Sequence, residues 1–278
     1  MSKIWLITGI SSGFGKALTK QLLEKGDTVV GTIRTENNDI KELVEQYPDT
    51  LDIQHLDVTN TDEIRQVVKN AVNNHGKIDV LINNAGYGLF GAAEELSDKD
   101  INLILATDLT GSIQMIRAVI PYMRKQNSGR IIQISSYGGQ VAYPGNSLYH
   151  AAKFGIEGFC ESVAQEVAPF NIGVSIIEPG GARTEFRYGS AHVANLMPEY
   201  DGTPTHAFLK MLDPANGLAP GDPDKMASRI IETVDQNPAP LHVVLGSQAL
   251  RATIERLTDR INEYKKETDL AASTDIED

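Results

Sequence analysis

Short apolar runs alternate along this chain with longer stretches in which apolar residues recur every three or four positions. Ile4–Thr8, Thr28–Ile33, residues 51–56, Val80–Asn83, residues 130–135 and residues 174–178 are rich in β-branched residues and largely apolar on both faces. Strands buried on both sides within a parallel sheet carry that pattern, whereas a half-exposed strand alternates. The stretches between them have the length of helices. Thr59-x-x-Asp62 and Ser97-x-x-Asp100 read as acidic variants of the capping box and mark two helix starts. Strand–helix alternation of this kind predicts an α/β fold, a doubly wound parallel sheet of about seven strands with helices on both faces.

After residue 178 the alternation breaks. Residues 184–221 are rich in Gly, Pro and Ala, with isolated aromatics. An insertion that long in a compact domain is usually functional or disordered. Helical periodicity resumes over 223–236, residues 241–245 supply a last strand, and 249–266 form a charged amphipathic helix. The acidic, small-residue tail 267–278 is expected to be disordered. No repeat or linker interrupts residues 1–266, so a single domain is expected.

Composition narrows the function classes. The net charge is −12 and no basic block stands out, which argues against a nucleic-acid or anionic-membrane partner. No run of ~18 apolar residues is evident. The first strand follows the N-terminus at once and leaves no room for a leader, so a cytoplasmic protein is expected. The single cysteine, Cys160, excludes an internal disulfide or a multi-cysteine zinc site, and its helical context reads as a buried inert thiol. The six histidines show no ligand spacing, so no metal is expected.

Two segments carry chemistry on physical grounds. Gly9, Ser11, Ser12, Gly13, Phe14 and Gly15 lie between the first strand and the helix containing Ala17, Leu18 and Leu22. Glycines there permit a tight turn and let backbone N–H groups approach a pyrophosphate, and the helix N-terminus adds positive potential. Tyr149 and Lys153 form the only Tyr-x-x-x-Lys pair in the chain and share one face of a helix over about 148–168. A free phenol has a pKa near 10, and a neighbouring ammonium should lower it toward a useful proton donor or acceptor.

Thr8-Gly9-Ile10-Ser11-Ser12-Gly13-Phe14-Gly15, Asn83-Asn84-Ala85-Gly86, and Ser136 thirteen residues before Tyr149 complete a set that resembles the short-chain dehydrogenase/reductase family from Lys3 to about Phe186. The resemblance implies a Rossmann-type, nicotinamide-dependent oxidoreductase acting on a CH–OH or carbonyl group. It implies that Ser136, with Ser135 as the fallback, binds the reacting oxygen beside Tyr149 and Lys153. It assigns Asp57 and Val58 to the adenine end, Asn84, Ala85 and Gly86 to the cofactor lining, and Pro179, Gly180 and Thr184 to the nicotinamide end. Arg34 follows Ile33, where NAD-type relatives carry an acid, and this pattern implies NADP(H), with NAD as the alternative and Ser11 or Ser12 assisting.

The chain departs from the family at Asp108, which stands where Asn is usual. An aspartate keeps the acceptor, loses the amide donors and places a negative charge near Lys153. Phe186, Tyr188, Met197, Tyr200, Phe208, Leu209 and Met211 mark 184–221 as a substrate lid, faced by Tyr137, Gln140, Val141 and Tyr143. Tyr143 and Phe186 are the candidate substrate contacts. A small or apolar secondary alcohol or carbonyl is the implied substrate, and the run from Tyr149 to Phe159 looks most like the hydroxysteroid and retinol dehydrogenase branch. The alternatives are a nucleotide-binding regulator without turnover and a nucleotide-sugar epimerase. The latter usually has a different glycine loop and a larger C-terminal domain. A homodimer or homotetramer through helices at about 99–125 and 148–168 is implied, with Phe154, Phe159 and Val163 as contributors.

Overall fold

Seven parallel strands form the centre of the computed structural model, which describes residues 2–189 and 191–276, the side chains of Arg187 and Tyr188 excepted. They are β1 (Ile4–Thr8), β2 (Thr28–Ile33), β3 (Leu51–His55), β4 (Val80–Asn83), β6 (Gly129–Ile134), β7 (Ile172–Pro179) and β9 (His242–Leu245). Their order is β3-β2-β1-β4-β6-β7-β9. The direction of winding reverses between β1 and β4, and at such a switch point a crevice opens beyond the carboxyl ends of the strands.

Helices cover both faces. On one side α3 (Thr61–His75), α5 (Ser112–Gln126) and α6 (Ser147–Val167) pack Ile64, Val67, Met115, Ile116, Val119, Ile156 and Val163 onto Leu6, Leu81, Ile131 and Ile176. On the other, α1 (Gly13–Glu24), α2 (Asn38–Gln46) and α9 (Pro223–Thr233) pack Leu18, Leu22, Ile40 and Ile230 onto Ile7, Val29, Ile82 and Ile132. Successive strand residues alternate between the two cores, which is why the strands read as continuous apolar runs.

Several local expectations are corrected. Helix α3 is capped by Asn60, whose side chain accepts from the N–H groups of Asp62 and Glu63, not by Thr59. Thr59 is held outside the helix by Asp57 Oδ1. The Ser97–Asp100 capping box is present at the start of α4 (Asp98–Ile104). Val163, a candidate contact between subunits, is buried in the core, and Arg260 lies over the ring of Phe154. Cys160 is buried, and its thiol is pushed up to about 12 by that burial.

The helical run Asp98–Gln126 is long and apolar enough to cross a membrane by length and composition, contrary to the sequence expectation. Its apolar residues Met115, Ile116, Val119 and Met123 are buried in the protein core. Between α4 and α5 this run widens into a π-helical turn, Leu105–Gly111, centred on Asp108. Such bulges kink a helix and re-aim a side chain.

Residues 184–221 carry short elements that periodicity does not reveal: α7 (Glu185–Tyr188), β8 (His192–Val193) and α8 (Pro204–Leu209). Strand β8 pairs in parallel with β5 (Leu89–Phe90), just beyond the Asn84-Ala85-Gly86 turn. A single bridge, Ala182 to Gly221, closes the base of the segment. Beyond α10 (Ser247–Lys265), the tail expected to lack structure forms a short exposed helix, α11 (Thr268–Ala272), continuing the helical stretch before it.

Candidate active site

The glycine segment turns sharply from β1 into α1. Gly9 (φ +72) and Gly13 (φ +54) occupy the left-handed region that side chains avoid. A Cβ at Gly15 would fall 2.2 Å from the Gly9 carbonyl oxygen. Ser12, the N-cap of α1, makes no side-chain cap bond, and the first turn holds no acid. The helix therefore presents uncompensated N–H groups and positive potential to the crevice, which suits a pyrophosphate. A Cβ at Gly13 would lie 3.6 Å from Thr184 Cβ, so the loop and Thr184 face each other across a narrow gap.

The surrounding residues sort into frame and lining. Asn84 Nδ2 donates to the carbonyls of Thr8 and Gly9, both at 2.9 Å, and the N–H groups of Asn84 and Ala85 donate to Thr8 Oγ1. The Asn84-Ala85-Gly86 turn is thereby stitched to the glycine loop, and Thr8, which composition does not single out, is the stitch. Val58 is buried in the core, so it offers the crevice mainly its backbone. The Asp57 carboxyl lies below its ordinary value, chiefly through the Thr59 N–H, and Arg34 adds to this against the cost of burial. Arg34 is exposed just beyond β2 and makes no ion pair among the described residues, whereas Ile33 before it is fully buried. Pro179 ends β7, and the Gly180 N–H donates to Leu245 O at 2.8 Å.

At the ends of β6 and α6, Ser136, Tyr149 and Lys153 converge. Lys153 Nζ lies 5.5 Å from the centre of the Tyr149 ring and donates to Ile134 O at 3.3 Å. Ser136 Oγ accepts the Gly138 N–H at 3.0 Å, leaving its own proton to donate elsewhere. Ser135 turns away, and its hydroxyl donates to Glu157. The adjacent serines thus face different groups.

Asp108 is fully buried beneath this cluster. Its Oδ2 stands 3.5 Å from Lys153 Nζ, an ion-pair distance, and its Oδ1 accepts the Tyr87 N–H at 3.1 Å. Burial pushes the Asp108 carboxyl up from its ordinary value, and Lys153 opposes that rise. Burial works against the Lys153 ammonium, yet Tyr149 and Asp108 together hold it above the usual lysine value. The Tyr149 phenol is raised, not lowered as its lysine neighbour suggests. Desolvation outweighs the help of Lys153 and Ser136, and Asp108 and Glu157 add to the rise.

Glu157, one helical turn beyond Lys153, is invisible to the motif. Its oxygens accept from Ser135 Oγ and, at 2.5 Å, from Gln140 Nε2. Burial beside Glu178 pushes it up to about 7. Glu178 in turn holds His242 Nδ1 at 2.6 Å. Ligand atoms of Glu157, Glu178 and His242 lie within 4.8 Å of one another, a grouping that linear spacing hides.

Aromatic rings wall the open side. Phe186 packs against Tyr149 at 5.9 Å, and Tyr143 stacks on Phe208 of α8 at 5.9 Å. Phe208 stacks in turn on Phe90, and Tyr137 tilts against Tyr143. Tyr188, named with them from sequence, has a side chain outside the described residues. Tyr87 is an addition: its ring meets His192 edge-on at 5.1 Å, and burial pushes its hydroxyl up to about 12. Buried Glu95 anchors the segment from below. It accepts the Met197 N–H at 2.7 Å and meets His206 Nε2 at 2.7 Å.

This fold and site define a dinucleotide-dependent oxidoreductase class, and the comparisons agree. The short chain dehydrogenase family model matches residues 3–192. A 3-ketodihydrosphingosine reductase of Bacteroides thetaiotaomicron is 35% identical, over 88% of each chain. A crystal structure of a short-chain dehydrogenase from Streptomyces avermitilis superposes with a TM-score of 0.93 at 35% identity, covering 99% of this chain and 100% of that one. The structure of ElxO with NADP bound gives 0.74 at 25% identity, covering 90% and 100%. The chain belongs to the short-chain dehydrogenase/reductase family and is an enzyme of that class.

Proposed function

We propose that this enzyme is an NADP(H)-dependent reductase that interconverts a carbonyl and a secondary alcohol on a small or apolar substrate. The convergence of Ser136, Tyr149 and Lys153 under an aromatic wall, opposite the glycine loop, carries this reading. In it, Gly9, Ser11, Ser12, Gly13, Phe14 and Gly15 hold the pyrophosphate, and Arg34 meets the 2′-phosphate. Asp57 and Val58 flank the adenine, Asn84, Ala85 and Gly86 line the floor, and Pro179, Gly180 and Thr184 border the nicotinamide. When bound, the nicotinamide supplies or accepts the hydride.

The chain's own residues handle the oxygen and its proton. Ser136 donates a hydrogen bond to the carbonyl oxygen, and Tyr149 transfers its proton there as negative charge develops. Lys153 stabilises the phenolate left behind, and Asp108 sets how strongly it does so. In the oxidative direction Tyr149 takes the proton back, which requires the phenolate and favours higher pH. Tyr143 and Phe186 border the substrate beneath the lid at 184–221.

The Bacteroides relative's name and the NADP in ElxO support the reductive direction and the cofactor. A cytoplasmic homo-oligomer without nucleic-acid or membrane partners completes the reading. A binding regulator with little turnover is the second reading, favoured by the burial that holds the Tyr149 phenol up, to which the buried Asp108 adds. NADPH oxidation measured against a panel of ketones and aldehydes separates the two. Turnover supports the enzyme, and cofactor binding with no turnover on any of them supports the regulator.

A further inference from the structure

His150, between Tyr149 and the rest of its helix, is buried, and both ring nitrogens are engaged. The Tyr143 N–H donates to Nε2 at 3.0 Å. That N–H can only donate, so Nε2 carries the lone pair and Nδ1 carries the proton. Nδ1 then donates to Gly138 O at 2.7 Å. Burial holds the imidazole pKa below its ordinary value, consistent with a neutral ring in this tautomer. A buried, satisfied histidine is often only a packing residue. Here both partners are backbone groups of one segment, 138–143, that lines the cleft.

The bonds form a continuous path. Ser136 Oγ accepts from Gly138 N, the Gly138 carbonyl accepts from His150 Nδ1, and His150 Nε2 accepts from Tyr143 N. Gly138 is pressed between the two ends: a Cβ there would stand 3.0 Å from His150 Nδ1 and 3.3 Å from Ser136 Oγ. Beyond the path, the Tyr143 ring stacks on Phe208, which belongs to α8 of the proposed lid. The imidazole therefore registers the substrate wall against the serine that would bind the reacting oxygen.

We propose that His150 is a positioning residue that sets substrate binding through the Tyr143 backbone, an inference that rests on the carbonyl-reductase reading above. Removing the acceptor leaves the Tyr143 N–H without its partner and frees its ring from the Ser136 loop. The loss of a bond that satisfies a buried group corresponds to an effect on the order of tenfold.

The test uses the ketone that the wild-type enzyme reduces best, with three variants at this position. H150F keeps the volume and removes both bonds. H150Q places an amide oxygen near the Nε2 position and can keep the Tyr143 bond. H150N reaches only the Nδ1 position and can keep the Gly138 bond. H150F is expected to raise KM for the ketone on the order of tenfold, with a smaller change in kcat and an unchanged Kd for NADPH. H150Q should recover most of the loss, and H150N should stay near H150F. In a Tyr143→Ala background the effect of H150F should largely vanish, because both changes act through one element. A purely structural role would lower the active fraction, and with it kcat, while leaving KM in place. An unchanged KM in H150F, equal behaviour of H150Q and H150N, or independent effects in the double variant would overturn the proposal. If H150F does not fold, the contrast between H150Q and H150N decides. No wild-type turnover on any carbonyl would overturn the functional reading itself and this inference with it. Wild-type turnover with unmoved variants overturns only this inference.

Discussion

The Asp108 carboxylate and the Lys153 ammonium stand 3.5 Å apart, both shut off from solvent beneath Tyr149. An asparagine in the same place would keep an acceptor without the charge. In this chain the negative end of a buried ion pair opposes the phenolate that oxidation needs. Asp108→Asn should therefore shift the ascending, acid-side limb of the pH–rate profile for alcohol oxidation to lower pH. The folded Tyr149 pKa is raised partly by Asp108, so removing the charge lowers it. A profile that does not move would limit Asp108 to supporting the Tyr87 backbone.

Tyr149→Phe deletes the transferable proton and little else. Turnover should fall by ~10²–10⁴-fold, the usual cost of losing a general acid. NADPH binding, measured by fluorescence titration, should stay near wild type. Near-normal turnover would remove Tyr149 from the mechanism.

Arg34 is free of ion pairs among the described residues and stands exposed beyond β2. Arg34→Ala should weaken NADPH by about ten- to a hundredfold, the worth of a charged hydrogen bond. NADH should change much less. Equal weakening of both cofactors would refute the phosphate contact. An acid at Ile33 is a poorer test, because that side chain is 1% exposed and the carboxylate would have to be desolvated.

Glu157 gives a pH dependence of stability. Burial pushes its pKa in the folded protein up to about 7, from an ordinary value of 4.5. Its contribution to folding is fully present below about pH 4.5 and is lost as pH rises through about 7. Glu157→Gln cannot ionise, and the Ser135 hydroxyl can turn to suit it. The variant should gain on wild type as pH rises from about 5 to about 8, by at most ~3 kcal/mol, or several degrees in Tm. Parallel Tm curves for the two proteins would show that Glu157 does not titrate there.

The sheet was legible because a strand covered on both faces must be apolar throughout, and Ile4–Thr8 or Val80–Asn83 carry no competing pattern. Much of the candidate site was legible for a related reason: its segments sit at strand ends, and Tyr149 and Lys153 are one helical turn apart. What escaped depends on tertiary placement. Two-residue strands such as β5 and β8 are too short to show a period. Asn60 caps α3 where Thr59 fitted the pattern equally well. The direction of the Tyr149 shift turns on burial, which Lys153 at i+4 does not reveal. Glu157 and His150 become meaningful only when folding brings Ser135, Gly138 and Tyr143 to them.

The pairing of β5 with β8 ties the early part of the proposed lid to residues 88–90 by main-chain bonds: His192 N to Gly88 O at 2.9 Å and Ala194 N to Phe90 O at 2.8 Å. Such bonds are indifferent to which side chains the segment carries. Outside the His206–Glu95 and Phe208–Tyr143 contacts, side chains of residues 194–212 can therefore change one substitution at a time while the β5–β8 pairing stays in register. Divergence in substrate choice among sister enzymes is thus expected to concentrate there, ahead of any change in the proposed catalytic set of Ser136, Tyr149 and Lys153.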